Sequence, residues 1–470
     1  MFINNTGQWA NEIFGSAQLN DPRRTKRLVK IVKDMTTAVD KSIAQASLDP
    51  ASIEGAYRFM RNDCIDSENI AQAGYKRTDE LVENSNIVLA IQDTTELTYK
   101  HSVCKELGNV STANHHKPSK KRTILVHSTL MIDAEQEHTI GLANQHYWVR
   151  QEKVKGTPKE LAKRDKTEKE SYKWERNISQ LSERLSSMQN VIDVCDREAD
   201  MYEYLSYQIS HNNRFVVRAK ENRCLLNSDK KLLEQISQAE PCGYKKVNIA
   251  QRGGKFPRKT RTAELAISYT SVTLKAPQTI KDKQGLKVTI IQCQEINSQN
   301  EDEKLCWNLY TTEQINNAED AKRIVRFYEL RWRIEEFHKV WKSDGTKIES
   351  SRLQTLKSIQ RIAIIKAFIA VRIFQVRELM KNNKAAEKIV CTDYVSPISW
   401  KILWKTIEKK KTLPSSTPSL YWLYYAIAKL GGWYDSKGTG KVGLKTFWEG
   451  WMKLMNLVEA YEMLQSLNLE

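Results

Sequence analysis

The chain has 470 residues, a formal net charge of +17 and a sequence pI near 9.3. This length suffices for about three domains at roughly 100–200 residues each, and the hydrophobic fraction of 40% excludes wholesale disorder. The excess of Lys and Arg favours a polyanionic partner, because clustered cations displace counterions from phosphates. Charge alone does not separate such a protein from one that is merely basic.

The cysteines and the apolar segments indicate where the protein works. The eight cysteines are scattered, and no pair has the C-x-x-C spacing of a zinc site, which favours a reducing compartment over a disulfide framework. The N-terminus lacks the charged start and apolar core of a signal peptide. The most apolar late stretch, Ile359 to Val376, contains Arg361, Lys366 and Arg372 and so does not read as a membrane span. We therefore expect a soluble, cytoplasmic protein.

The first 66 residues read as short helices. Asn20 or Asp21 followed by Pro22 is a favourable helix start, with the proline just inside the cap. The helix that follows is basic on one side and apolar on the other, so it is either an ordinary solvated face or a helix that lies along a DNA groove. We favour DNA contact, through Arg23, Arg24, Lys26, Arg27 and Lys30.

Strands and helices alternate from about residue 67, which predicts an α/β sheet. A short buried strand from Ile87 to Ile91 ends at Gln92 and Asp93, and a second one, Val191 to Cys195, stops at Asp196. A helix from Ala199 to Ile209 and a strand from Phe215 to Arg218 come next.

Residues 240–312 break this alternation, because strand-like runs recur there without helices and predict a small β insertion. The runs are Ala263 to Ser268, Val272 to Lys275, Leu286 to Cys293 and Leu305 to Thr311. The loop at residues 251–259 is basic and rich in turn residues, so it is a candidate for phosphate contact.

Helices dominate from Ala318 to the end of the chain. The last segment, Phe447 to Leu467, is amphipathic and rich in aromatic residues. Trp448, Trp451, Leu454, Met455 and Val458 recur there at spacings of three and four. Such a stripe is either intrachain core or a surface that pairs with a second copy, and we favour pairing.

Three carboxylates carry the candidate chemistry: Asp93 and Asp196 follow apolar strands, and Glu335 lies in a helix over residues 328–342. Oxygen ligands of this kind suit Mg²⁺, and two such ions support phosphoryl transfer. Acids at strand ends are more often caps or turn residues, however, and spacing alone does not choose between Asp193 and Asp196.

The helix around Glu335 has two stripes. Steps of three, four and seven residues place one polar set on a single side, and a separate apolar set can pack on the sheet. The polar stripe is Tyr328, Arg331, Glu335 and Lys342, and the apolar stripe is Leu330, Ile334, Phe337 and Trp341. The helix can therefore dock while presenting a carboxylate flanked by cations.

The polar stripe reads Y-x-x-R-x-x-x-E-x-x-x-x-x-x-K, which resembles the YREK signature of the DDE cut-and-paste bacterial transposases. That insertion-sequence group includes the transposase of the kanamycin-resistance composite transposon. Further similar segments extend over nearly the whole chain. They include Asp-Pro-Arg-Arg-Thr at 21–25, Glu-Gly-Ala-Tyr-Arg-Phe at 54–59, Val-Cys-Asp-Arg-Glu-Ala-Asp at 194–200, Arg-Trp-Arg-Ile-Glu-Glu-Phe-His-Lys at 331–339 and Trp-Glu-Gly-Trp at 448–451.

The resemblance implies a ribonuclease H-like catalytic core at residues 67–378, interrupted by a β insertion at about 240–312. An N-terminal helical DNA-binding domain (residues 1–66) and a C-terminal helical dimerisation domain (379–470) would flank it. The resemblance also chooses Asp196 over Asp193, so that Asp93, Asp196 and Glu335 ligate two Mg²⁺ ions, which Mn²⁺ would replace. Tyr328, Arg331, Lys339, Lys342, Arg218 and Lys220 would contact DNA.

Members of this group cleave through a hairpin intermediate, in which a flipped base stacks on a tryptophan. The matching position here is Trp307. The resemblance further implies a homodimer in the synaptic complex, bound to double-stranded terminal repeats and target DNA at the bacterial nucleoid. Two rival hypotheses remain: a non-catalytic DNA-binding regulator derived from a transposase, and a structure-specific nuclease that does not join strands.

Overall fold

The computed structural model describes residues 6–109, 122–150, 164–226, 228–249, 260–278, 280, 283–298, 304–381, 383–409, 411–436 and 442–467. Helices open the chain, as predicted: α1 Thr6–Phe14, α2 Pro22–Thr37, α3 Ile43–Ala46, α4 Pro50–Arg61 and α5 Ser67–Val82. The Asp21 carboxylate caps α2 by accepting from the backbone N–H of Arg23 at 2.9 Å, and Pro22 takes the first helical position.

A sheet with helices beside it follows. Its elements are β1 Val88–Tyr99, β2 Gly108–Asn109, β3 Arg122–Asp133, β4 Thr139–Trp148, α6 Lys173–Arg184, β5 Val191–Cys195, α7 Tyr202–Ser210 and β6 Arg214–Arg218. Strand β3 pairs antiparallel with β2, β4 and β1. Strand β5 lies between β1 and β6 and is parallel to both. The prediction of an α/β sheet is confirmed, and strand β5 has the predicted bounds.

Strand β1 is longer than predicted, because it continues through Asp93 to Tyr99 instead of ending at Gln92. Its apolar run does stop at Ile91, but the antiparallel ladder with β3 continues and pairs Asp93 with Ser128 and Tyr99 with Arg122. Asp93 therefore lies within a strand. On the other side of β1, the pairing with β5 ends at Ile91, so Asp93 has no strand partner there and can face a cleft.

The β insertion extends the same sheet. Its elements are α8 Leu232–Ser237, β7 Gly243–Ile249, β8 Arg261–Leu274, β9 Leu286–Glu295 and β10 Cys306–Thr311. Strand β10 pairs antiparallel with β6, and β9, β8 and β7 follow in that order towards the edge. The two runs predicted from Ala263 to Lys275 form one strand, because β8 pairs with β9 without a break. The basic loop at residues 251–259 lies outside the described residues.

Helices complete the chain: α9 Ala318–Leu330, α10 Trp332–Lys339, α11 Leu356–Lys381, α12 Asn383–Ala386, α13 Pro397–Glu408, α14 Leu420–Leu430 and α15 Leu444–Ser466. The prediction of a single helix over residues 328–342 is wrong. It breaks at Arg331 between α9 and α10, and a π-helical turn, Val340–Asp344, follows. The apolar stripe predicted there is buried, and Trp341 donates to the Ala363 carbonyl at 3.0 Å.

Helix α11 contains the apolar stretch Ile359 to Val376 and contacts α2, α4, α5, β4 and α14. One apolar core therefore runs from Trp9 in α1 to Leu454 in α15. Among the described residues, no helix has the length and apolar character needed to cross a membrane.

The aromatic stripe of the last helix corrects another expectation. Trp448, Trp451 and Leu454 are buried within the chain, where α15 packs on α14. They are therefore intrachain core, not a surface for a second copy. The exposed apolar residues of this helix come later, at Leu457, Tyr461, Met463, Leu464 and Leu467.

Candidate active site

The pairing of β1 with β5 brings two of the predicted acids together. Val88 lies opposite Val191, and Ile91 lies opposite Val194. Continuing this parallel register by two residues places Asp196 level with Asp93, and neighbouring strands are about 4.8 Å apart. Because β5 ends at Cys195, Asp196 begins a turn, where its carboxylate accepts from the backbone N–H of Glu198 at 2.8 Å.

Asp193, the alternative that spacing left open, has different surroundings. Its side chain is buried and accepts hydrogen bonds from Gln92 at 2.7 Å, from Gln208 at 2.6 Å and from the Tyr204 hydroxyl. A carboxylate enclosed by donors has no free oxygen facing solvent. This geometry favours a structural role for Asp193 and leaves Asp196 as the acid at the strand end.

Glu335 occupies the first turn of α10, and its carboxylate shares a cleft with Asp93. The cleft is also lined by Thr94, Thr95, His338, Lys339, Lys342, Ser343 and Glu349. Arg331 forms an ion pair with Glu335 at 2.5 Å, and His338 Nδ1 lies 3.8 Å from the Asp93 carboxylate. Lys342 lies 3.4 Å from the Thr95 hydroxyl. The cleft thus combines three acids with two lysines, and Lys342 lies 3.7 Å from the Glu349 carboxylate.

Asp93 responds electrostatically to both other acids. Burial raises the pKa of its carboxyl to about 7; the charges of Asp196 and Glu335 add to this, and that of Arg331 opposes it. The negative charges of Asp196 and Glu335 thus act on Asp93, which favours additional positive charge beside these acids. A divalent cation supplies such charge, and oxygen ligands suit Mg²⁺.

The side chains are not arranged as a finished metal site. Within the described part of the chain, no group of three or more His, Cys, Asp and Glu side chains is placed to hold a metal ion. Two of the acids have partners within the chain: Glu335 is bound by Arg331, and Asp196 accepts from an N–H of its own turn. Each hydrogen bond occupies one carboxylate oxygen, and the second oxygen keeps lone pairs that a cation could use.

The raised pKa of Asp93 predicts a pH-dependent stability of the metal-free protein. From about pH 4 to pH 7, folded Asp93 keeps a proton that the unfolded chain, with its usual value near 3.8, has lost. The free energy of unfolding therefore falls as pH rises through this window, by up to about 1.4 kcal/mol per pH unit. Urea unfolding in the presence of a chelator measures this fall. Between pH 5 and pH 7, we expect the free energy of unfolding to fall by about 2–3 kcal/mol more in the parent than in Asp93→Asn. An equal fall in the free energy of unfolding in the two proteins would contradict the raised pKa of Asp93.

A second cleft lies between the β insertion and helices α9 and α10. It is lined by Arg218, Lys245, Lys246, Val247, Ile249, Leu305, Trp307, Arg326, Tyr328, Glu329, Arg331 and Trp332. The Trp307 and Tyr328 rings meet edge to face, with centroids 5.8 Å apart, and the Arg331 guanidinium lies 5.9 Å from the Tyr328 ring. Cations and aromatic faces together suit a nucleic-acid backbone and its bases.

Sequence reasoning missed Trp332 and three cations of this cleft, Lys245, Lys246 and Arg326. The side chain of Trp332 is 61% exposed, although it lies in a well-packed part of the molecule. The signal was present: Trp332 follows Tyr328 by four residues and precedes Glu335 by three, so it belongs to the same polar stripe. An exposed tryptophan on such a stripe is a better indication of a binding surface than a buried one.

The remaining predicted contact residues are placed less favourably. Lys220 does not line the second cleft, and its side chain forms an ion pair with Glu221 at 3.3 Å. In α2, Arg24 donates to the Leu19 carbonyl at 3.0 Å, and Lys30 pairs with Asp34 at 3.4 Å. Arg23 is held by Asp21. Several of these cations thus have partners within the chain, although Arg23 and Lys26 are both exposed.

Comparison with known proteins finds two domains in this chain. Residues 6–65 match the transposase DNA-binding family, and residues 144–372 match the transposase DDE domain family. The second range contains Asp196 and Glu335 and begins after Asp93. Together the two ranges span more than half of the chain.

One solved structure with similarity is a piggyBac transposase synaptic complex with hairpin DNA. It is 10% identical, with a TM-score of 0.38, over 98% of this chain and 79% of that chain. The two family matches define the class, an enzyme that moves DNA. The chain is a DNA transposase with a DDE domain, of the kind that generally uses divalent metal ions.

Proposed function

We propose that this transposase carries out cut-and-paste transposition as a member of the YREK group. In this proposal, it cleaves transposon-end DNA by two-metal phosphoryl transfer and joins the ends to target DNA. The observation that carries the proposal is the parallel register of β1 and β5, whose continuation would bring Asp196 level with Asp93 in the cleft that Glu335 lines. The strand order β4-β3-β1-β5-β6 supports a ribonuclease H-like core, with the insertion as an extension.

In this proposal, the acids bind the metal ions and the cations bind DNA phosphate. Asp93, Asp196 and Glu335 would hold the metal ions, Mg²⁺ with Mn²⁺ as a substitute, which activate the attacking oxygen and stabilise the leaving oxygen. Lys339 and Lys342 would hold the scissile phosphate by charge. Arg331 would contact phosphate after releasing Glu335, because one guanidinium does not serve both partners fully.

The aromatic cleft is where we place the hairpin chemistry. Trp307 is half-buried, with its ring edge against Tyr328, and Arg218 and Arg331 line the same space. A base extruded from the duplex would stack on Trp307, which returns part of the cost of unstacking, a few kcal/mol. Residues 1–66 would bind the terminal repeat, and the exposed apolar end of α15 would pair two copies in the synaptic complex.

Lys342 provides a test of phosphate contact. We expect Lys342→Gln to weaken binding of end DNA and to lower the slope of log affinity against log salt by about 0.9, the value for one lost phosphate contact. Titration of labelled duplex at several salt concentrations measures both. The matched control is Lys347→Gln, which removes a cation that pairs with Asp40 at 3.0 Å instead of lining the cleft. A reduced slope in both variants would argue for a general charge effect.

The proposed reaction is tested with a labelled duplex that carries the element's own terminal repeat. Purified protein is incubated with it, with and without Mg²⁺, beside Asp196→Ala, which should still bind. Metal-dependent nicking, hairpin formation and strand joining by the parent alone would support the proposal. Binding without cleavage in Mg²⁺ or Mn²⁺ would indicate a regulator, and nicking without joining would indicate a nuclease.

A further inference from the structure

Helix α11 carries four buried cationic side chains, Arg361, Lys366, Arg372 and Arg377. Arg361 and Lys366 donate to backbone carbonyls at 2.7 and 2.6 Å, and Arg377 lies 3.7 Å from the carboxylate of Glu336. Arg372 differs from these three, because both its Nη1 and Nη2 atoms are buried without a hydrogen-bond partner, whereas in Arg377 only Nε is. A buried cation with unsatisfied donors is unfavourable, so a partner is expected.

Arg372 is charged in this position. Its side chain is 5% exposed, and burial lowers its pKa to about 10, which leaves the guanidinium protonated at neutral pH. The ring of Trp9 lies 4.6 Å from the guanidinium carbon and covers one face. The charge of Glu12 acts on Arg372 from a distance, but neither Nη atom donates to it. The edge of the guanidinium that carries Nη1 and Nη2 therefore has no hydrogen-bond acceptor.

A small cavity adjoins Arg372. Its lining consists of Thr6, Thr36, Val39, Ile369, Arg372, Ile373, Val376, Trp448 and Trp451. The indole N–H of Trp448 is a second buried donor without a partner. The cavity has a volume of about 50 Å³, room for about three to five water molecules at roughly 10–15 Å³ each. One small oxyanion fits the same space.

We propose that this cavity binds a small oxyanion, either inorganic phosphate or sulfate or a short carboxylate, through Arg372 and Trp448. The unsatisfied side-chain groups are all donors, and no carboxylate lines the cavity, so the chemistry selects an acceptor that carries negative charge. The walls come from α1, α2, α11 and α15. A bound anion would therefore fasten the matched DNA-binding region, residues 6–65, to the last helix of the chain.

The test is thermal unfolding of the full chain as sodium sulfate replaces sodium chloride at constant ionic strength. We expect a saturable rise of the midpoint in the parent and none in Arg372→Met, which keeps an unbranched side chain against Trp9. Calorimetric titration should give at least about tenfold weaker sulfate binding in Trp448→Phe, which loses a hydrogen bond to a charged ligand but keeps the ring. Sodium phosphate and sodium acetate, titrated in the same way, distinguish inorganic from carboxylate ligands.

The matched control is Arg58→Met, because Arg58 is exposed and pairs with Glu54 on the surface. It should respond to sulfate as the parent does. A rise of the same size in the parent and in Arg372→Met would overturn the proposal, since general salt stabilisation does not depend on one buried cation. Calorimetric titrations of the parent without heat for all three anions would overturn it as well, and would leave ordered water as the partner of Arg372.

Discussion

Glu335→Gln is expected to lower the rate of metal-dependent end cleavage on the order of a thousandfold while end DNA still binds. The change keeps the size of the side chain and its place in α10 but replaces an anionic ligand with a neutral amide. Losing transition-state stabilisation of about 4 kcal/mol corresponds to that factor. Single-turnover cleavage of a labelled terminal repeat at saturating protein measures the rate without a contribution from weaker binding.

The neighbouring acid supplies the control for this experiment. Glu336 follows Glu335 directly in the helix but faces Arg377, at 3.7 Å, and does not line the cleft with Asp93. Glu336→Gln should therefore cleave within a few-fold of the parent rate. Equal losses in the two variants would indicate that the helix, not one carboxylate, is sensitive to substitution. Full activity of Glu335→Gln would remove Glu335 from the catalytic set.

Arg331 gives this prediction a second consequence. In the structure its guanidinium binds the Glu335 carboxylate at 2.5 Å, so Glu335→Gln also frees a cation within the cleft region. A freed guanidinium attracts DNA phosphate, and we expect the affinity for end DNA to stay equal or rise slightly. Binding and cleavage should therefore separate in this variant, which a globally misfolded protein would not show.

The sequence predicted the fold where local patterns determine the structure. The helix start at Asp21 and Pro22 and the strand Val191 to Cys195 follow from side-chain capping and from an unbroken apolar run, and both are confirmed. Strand β1 was predicted too short, because its second half is polar and is held by pairing with β3, a contact between distant segments. The break at Arg331 and the π-helical turn after Lys339 were missed for the same reason: packing on α11 and the sheet overrides helix propensity.

The candidate site shows a similar division. The acids were selected by strand ends and by resemblance, and the structure adds the parallel register of β1 and β5, which ends two residues before Asp93 and Asp196. The contacts that hold them could not be read from spacing: Arg331 binds Glu335, and His338 lies beside Asp93. The stripe Trp448, Trp451 and Leu454 had the right periodicity for burial, but periodicity does not say whether the buried face meets the same chain or another.

Asp193→Asn is expected to be the most destabilising conservative change in the catalytic region. The Asp193 carboxylate accepts from Gln92, Tyr204 and Gln208 inside the core. Burial raises its pKa to about 6, and the hydrogen bonds of Tyr204 and Gln92 act in the opposite direction, so it is mostly ionised at neutral pH. An amide has one acceptor oxygen and an NH₂ group that faces other donors, which leaves buried donors unpaired.

We expect this change to lower the free energy of unfolding by about 2–4 kcal/mol, measured by urea denaturation at pH 7. The control is Asp165→Asn: Asp165 is an acid with an exposed side chain that caps the Thr167 N–H at 2.8 Å, a role that asparagine fills equally well. It should change stability by less than about 0.5 kcal/mol. A loss below about 1 kcal/mol for Asp193→Asn would mean that the core adapts to the amide.

The same substitution should also slow cleavage, because the hydrogen bonds continue towards Asp93. The Gln92 amide oxygen accepts from His127 Nε2 at 3.0 Å, and His127 Nδ1 in turn bonds the Thr94 hydroxyl at 2.9 Å. This chain of contacts involves the residues on both sides of Asp93 in β1. Asp193 thus acts as a positioning residue for β1. If Asp193→Asn is folded, binds DNA and cleaves at the parent rate, the network stabilises the core without positioning Asp93; slower cleavage at unchanged DNA affinity would assign both roles to it.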